Sequence, residues 1–253
     1  MENQLQSKLE YIGLTHLKDN WDQYLKEASE KKSSYQKFIT TVIEGEYMHR
    51  FERRRLARVK TAKIPDPLVM ATFPFERQPQ LKKRDVMELY DSMKFINECQ
   101  MLLFIGPTGC GKTGLATSYL IHAVNNHHSG LFIDFKDLLN KLYRSMADHS
   151  ERKTIKKLAS IDCMLIDEVG YQQLDKTHAG LFFDLIKQRH RKKCTILTSQ
   201  LGFDEWASFI NDKHITAAIL DRITENCTVF NMNKCISIRR KKISYAAERA
   251  TDK

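Results

Sequence analysis

Met101-Leu102-Leu103-Phe104-Ile105-Gly106-Pro107-Thr108-Gly109-Cys110-Gly111-Lys112-Thr113 is the stretch that decides the fold. Its unbroken apolar start reads as a short strand buried on both faces. The residues from Gly106 to Thr113 match G-x-x-x-x-G-K-[ST] in full, and helical periodicity runs from Lys112 toward Val124. Strand, glycine-rich loop and helix in that order make a phosphate cradle: the glycines let backbone N–H groups face the anion, and the helix adds its positive end. Lys112 is expected on the β- and γ-phosphates of ATP, and the Thr113 hydroxyl on Mg²⁺. The expected nucleotide-binding residues are therefore Gly106, Pro107, Thr108, Gly109, Cys110, Gly111, Lys112, Thr113 and Gly114. Cys110 also lies among N–H groups beside Lys112, a setting that activates a thiol, although a small residue tolerated in the loop explains it as well.

Further apolar runs at Gly130 to Phe135, Ile161 to Ile166 and Cys194 to Thr198 alternate with helical patterns. Such alternation predicts an α/β fold, a parallel sheet flanked by helices. The third run leads into Asp167-Glu168. The first carboxylate is placed on the metal and the second on the attacking water. The run from Cys194 ends in Thr198-Ser199-Gln200, where Ser199 or Gln200 is the candidate γ-phosphate sensor. Arg222 follows Asp221 late in a helical stretch, where an ion pair between the two accounts for both.

The first third reads as helices, and Pro65, Pro67, Pro74 and Pro79 mark a linker or strap. The expected organisation is a small all-α domain over 1–63, a linker over 64–80 and the nucleotide domain over 81–253. A charged helix is expected around Lys82 to Ile96. The chain carries a formal net charge of +10 at a pI near 9.2, so a polyanionic partner is expected. The excess is densest at Arg50, Arg53, Arg54, Arg55, Arg58 and Lys60, which form the candidate DNA-binding face. The six cysteines show no C-x-x-C spacing, which argues against zinc. No signal peptide or membrane span is legible, so a cytoplasmic protein with reduced thiols and no membrane partner is expected.

With these pieces in order, the chain resembles the IstB-like family of AAA+ ATPases, which assist transposases of insertion sequences and are related to helicase loaders of the DnaC and DnaI type. The resemblance rests on Arg53-Arg54-Arg55-Leu56-Ala57-Arg58, the phosphate loop, Leu165 to Tyr171, Thr195 to Gln200, Glu205-Trp206 and Ala218 to Arg222. It implies an AAA+ sheet with the phosphate-loop strand central, Gln200 as the sensor and Arg222 as an arginine finger acting across a subunit interface. It also implies ATP-dependent self-association into a ring or filament on duplex DNA that is presented to a transposase. Near the C-terminus the sequence departs from the family pattern; Arg239 takes the matching place for nucleotide sensing, and no room is expected for a helical lid. The alternative reading is a replicative helicase loader, in which the N-terminal helices grip a helicase.

Overall fold

The computed structural model describes residues 2–65, 69–171 and 173–235. The chain divides into two units, Met1–Lys60 and Thr61–Lys253. The first holds α1 (Glu2–Tyr11), α2 (Thr15–Asp19), α3 (Trp21–Glu30) and most of α4 (Tyr35–Ala62). Its organising polar group is Glu46, only 5% exposed. That carboxylate accepts the Leu17 N–H at 3.1 Å and Arg50 Nε at 3.0 Å, while Arg50 Nη2 donates to the Gly13 carbonyl. Burial pushes the Glu46 carboxyl up, but the Leu17 N–H and Arg50 outweigh it and hold the group below its usual range. Arg50 thus ties α4 to the turn after α1. Trp21, at the start of α3, is half-buried.

In the second unit the proline-bearing stretch does more than connect. Short 3₁₀ turns at Met70–Thr72 and Phe75–Arg77 bury Met70, Phe73, Gln78 and Leu81. Gln78 Nε2 donates to the Cys110 carbonyl at 2.8 Å, so the strap braces the phosphate loop. The charged helix expected next is two helices, α5 (Lys83–Ser92) and α6 (Lys94–Asn97), broken at Met93 with φ +55°. Then follow β1 (Met101–Ile105), α7 (Lys112–Asn125), β2 (Gly130–Asp134), α8 (Phe135–Ala147), α9 (Glu151–Ala159), β3 (Cys163–Val169), α10 (Lys176–Arg189), β4 (Cys194–Ser199), α11 (Trp206–Ile210), α12 (Lys213–Thr224) and β5 (Cys227–Asn231).

The strands form one parallel sheet in the order β2-β3-β4-β1-β5. β4 is the middle strand, so β1 sits one place away from the central position expected for it. The fifth strand was not among the expected apolar runs. Its Cys-Thr-Val-Phe-Asn sequence is that of a half-exposed edge strand, not one buried on both faces. On one face of the sheet, Phe104 stacks on Phe230 at 4.6 Å and Phe95 meets Tyr119 of α7 edge-on at 5.1 Å. On the other face Leu103, Ile105, Met164, Ile166 and Leu197 pack with α8 to α12, where Phe182 and Trp206 are fully buried. Each such side chain contributes about 1.5–3 kcal/mol of burial. No helix among the described residues is long and apolar enough to cross a membrane.

Two polar devices lock the sheet at the end where its strands begin. The Arg189 guanidinium is fully buried. It donates to Thr195 Oγ1 at 2.9 Å, to the Leu158 carbonyl at 2.9 Å, to the Ile161 carbonyl at 2.8 Å and to the Cys194 carbonyl. Burial pushes its pKa down to about 10, which leaves it charged at neutral pH. Nearby, burial pushes the Asp162 carboxyl up, but hydrogen bonds from Lys193 and Ser129 outweigh that and hold it at about 2. A depressed carboxyl stabilises the fold above its unfolded pKa, and the contribution fades as pH falls toward 2. Because this site is partly open to solvent, Asp162→Asn is expected to cost only about 1 kcal/mol at pH 7. Urea titrations should show the gap from the parent protein narrowing between pH 5 and about pH 2.

Candidate nucleotide site

The phosphate loop hangs between β1 and α7. A side chain at Gly106 would bring a Cβ within 2.8 Å of the Met232 backbone, so only glycine lets the loop leave the sheet beside the chain following β5. Gly111 has φ +96° at the N-cap of α7, a left-handed turn that aims the first helical N–H groups into the loop. Lys112 Nζ donates to the Gly106 and Pro107 carbonyls at 2.7 and 2.8 Å. Cys110 is wholly buried beside Lys112, which fits the plainer reading of a small residue tolerated in the loop.

Opposite the loop stands Asp167, 7% exposed. Thr113 Oγ1 lies 3.0 and 3.2 Å from its two carboxylate oxygens, and Thr198 Oγ1 donates to Oδ1 at 2.5 Å. Burial pushes the Asp167 carboxyl above its usual range. The Thr198 and Thr113 hydrogen bonds oppose that rise, as does Lys112, while Asp134 on the neighbouring strand adds to it.

Glu168 is placed by a bulge. Ile166 pairs with Leu197, but Val169 pairs with Ser199, so β3 spends one residue more than β4 over this stretch. Glu168 absorbs it with φ +59° and donates its N–H to Thr198 Oγ1 at 2.9 Å. In a regular strand, successive side chains point to opposite faces. Here the bulge brings Glu168 to one cleft, while Asp167 lies behind it on Thr113 and Thr198, two of the cleft's lining residues. That cleft, about 310 Å³, is lined by Thr108, Gly109, Gly111, Lys112, Thr113, Gly114, Glu168, Thr198, Ser199 and Gln200. A larger groove of about 570 Å³ between α5 and β5 shares no residue with it and holds none of this chemistry.

The structure therefore brings Lys112, Thr113, Glu168 and Gln200 to the lining of one cleft and sets Asp167 behind it, within hydrogen-bond reach of Thr113. Gln200 is exposed at its rim. Ser199, the other sensor candidate, is turned inward: its hydroxyl donates to the Val169 carbonyl at 2.7 Å and accepts from the Leu201 N–H. Thr198, which sequence reasoning passed over as part of a strand, links both acids. The only signal for it was a hydroxyl at the end of an apolar run. Arg222 lies outside the lining: its Nη1 donates to the Ala218 carbonyl at 2.6 Å and the guanidinium sits 4.9 Å from the centre of the Phe183 ring. Arg239 falls outside the described residues. On α4, Arg53, Arg54 and Lys60 are exposed, Arg58 is half-buried, and Arg55 is paired with Glu52. With Arg50 held by Glu46, the guanidiniums of this helix do not form one free row.

A parallel sheet of this order, a phosphate loop following β1 and paired acids near the end of β3, just before Val169, define an AAA+ type nucleotide-binding domain. The fold is shared by crystal structures of the DnaC helicase loader, at TM-score 0.51 and 21% identity, covering 60% of this chain and 88% of that one, and of DnaI, at 0.52 and 17%, covering 60% and 82%. The chain belongs to the family of IstB-like ATP binding proteins, whose model matches residues 7–246. Among its relatives is a protein of Geobacillus stearothermophilus named as an ATP-binding protein of insertion sequence IS5376, 31% identical over 88% of this chain and 90% of its own. One of Pseudomonas aeruginosa, named likewise for IS21, is 29% identical over 91% and 86%.

Proposed function

We propose that this ATP-binding protein hydrolyses ATP to ADP and phosphate with Mg²⁺, and that it uses the cycle to assemble on duplex DNA in support of an insertion-sequence transposase. The observation that carries the hydrolytic step is Thr198, which holds Asp167 by its side chain and Glu168 by its backbone N–H. A hydroxyl and a buried carboxylate 3.0 Å apart are the hard oxygen donors that Mg²⁺ prefers, so Thr113 and Asp167 fit the ion. Burial has already raised the cost of leaving Asp167 charged, which a cation offsets. When bound, the ion supplies charge neutralisation at the β- and γ-phosphates. Lys112 exchanges its loop carbonyls for phosphate oxygens, Glu168 polarises the attacking water, and Gln200 reads the γ-phosphate from the rim.

Arg222, outside its own cleft, is assigned to the site of a neighbouring copy in a ring or filament. The exposed Arg53, Arg54 and Lys60 of the helical N-terminal unit are assigned to the DNA backbone, with Arg58 contributing and Arg50 and Arg55 shaping the helix. The experiment is steady-state ATP hydrolysis with duplex DNA, single-stranded DNA or neither, over a salt series. Stimulation several-fold by duplex, lost as salt rises, is expected from phosphate-dominated binding. Stimulation by single strands alone, or by a helicase, would replace transposition with helicase loading while leaving the ATPase reading in place. No phosphate release under any condition would end both.

A further inference from the structure

A second concentration of charge sits in the ATP-binding unit, far along the sequence from the N-terminal arginines. Helix α9 buries Ile155 and Leu158 and turns Arg152, Lys153, Lys156 and Lys157 outward, all four exposed. At about 100° per residue these four share one face of about 140°. The fully buried Arg189 binds the Leu158 and Ile161 carbonyls, so the C-terminal end of α9 is fixed beside the end of α10. Lys192, exposed, is tied to the same residue: its backbone N–H donates to the Arg189 carbonyl at 2.9 Å. None of these five cations forms an ion pair among the described residues. Asp162 is taken by Lys193 and Glu225 by Arg191, while Glu151, in the first turn of the same helix, pairs with none of the five among the described residues.

Helix energetics do not explain the stripe. Lys156 and Lys157 in the last turn of α9 gain from the helix dipole, but Arg152 and Lys153 in the first turn lose by it, and the four repel one another. A polyanion reverses that balance. From Arg152 to Lys157 the helix rises about 8 Å. Over that length a duplex presents roughly two phosphates on each of its strands, a density that the four cations of this face can answer. We propose that the α9 face, extended by Lys192, is a second backbone-binding surface for duplex DNA, on the ATP-binding unit itself. It would hold the duplex independently of α4, without reading sequence. This inference rests on the duplex-DNA reading above.

The test uses the full chain with Arg152, Lys153, Lys156 and Lys157 all changed to Gln. Glutamine keeps helix propensity at exposed positions, so thermal unfolding and ATP affinity are expected to match the parent protein. Fluorescence anisotropy with a labelled duplex of mixed sequence is measured from 50 to 300 mM KCl. The slope of log K against log [salt] is expected to shrink by about 3–4, close to 0.9 per lost contact. The four-Arg variant (Lys153→Arg, Lys156→Arg, Lys157→Arg, Arg152 kept) should retain the full slope. An unchanged slope in the glutamine variant, alongside a reduced one in Arg53→Gln/Arg54→Gln, would overturn this proposal and spare the wider reading. Failure of the parent protein to bind duplex at any salt would overturn both.

Discussion

Glu168→Gln is expected to bind ATP as tightly as the parent protein and to hydrolyse it about 10²–10⁴-fold more slowly. Removing a positioned general base carries that cost. Glutamine keeps the size and polarity of the side chain at a site where it is exposed. It also leaves untouched the backbone N–H that reaches Thr198. Binding measured with a fluorescent nucleotide, beside phosphate release over hours, separates the two effects. Equal hydrolysis by the variant would move the water-activating role elsewhere. A loss of binding together with hydrolysis would show that Glu168 shapes the cleft itself and does not act on water.

Arg189→Met is expected to destabilise the second unit by about 3 kcal/mol or more. The change removes a buried cation but strands the Leu158, Ile161 and Cys194 carbonyls and the Thr195 hydroxyl that it serves. Each buried polar group left without its partner costs about 1–3 kcal/mol. Arg189→Lys should rescue little, because one ammonium cannot reproduce a planar fork that reaches two helix-end carbonyls and a strand together. Urea unfolding of the two variants decides the matter. A loss under 1 kcal/mol in Arg189→Met would mean that water replaces the guanidinium.

The sheet and the phosphate loop were legible because their signals are local. An unbroken apolar run needs only its own residues to declare a buried strand, and the loop motif fixes glycines where the backbone must turn left-handed. β5 was missed for the converse reason: an edge strand buries less, so its sequence mixes polar and apolar residues and resembles a loop. The strap at Met70 to Leu81 was read through its prolines, which punctuate the chain, and not through Met70 and Phe73, which pack. The role of Thr198 was hidden because its two partners lie on another strand. The β3 bulge behind it leaves no mark in composition at all. Among the cations, sequence density pointed to α4, but density does not reveal pairing. Glu46 and Glu52 engage two of those arginines, while the sparser α9 face keeps its charge open.

The chain contains two tryptophans, and the fold distributes them one to each unit: Trp21 on α3 and the fully buried Trp206 on α11. Indole emission therefore gives each half of the molecule a private optical reporter with no added label. Replacing either ring with phenylalanine isolates the other, so melting of the helical unit and of the ATP-binding unit become separately visible. Whether nucleotide stabilises one half or both then becomes a question of which of two colours shifts.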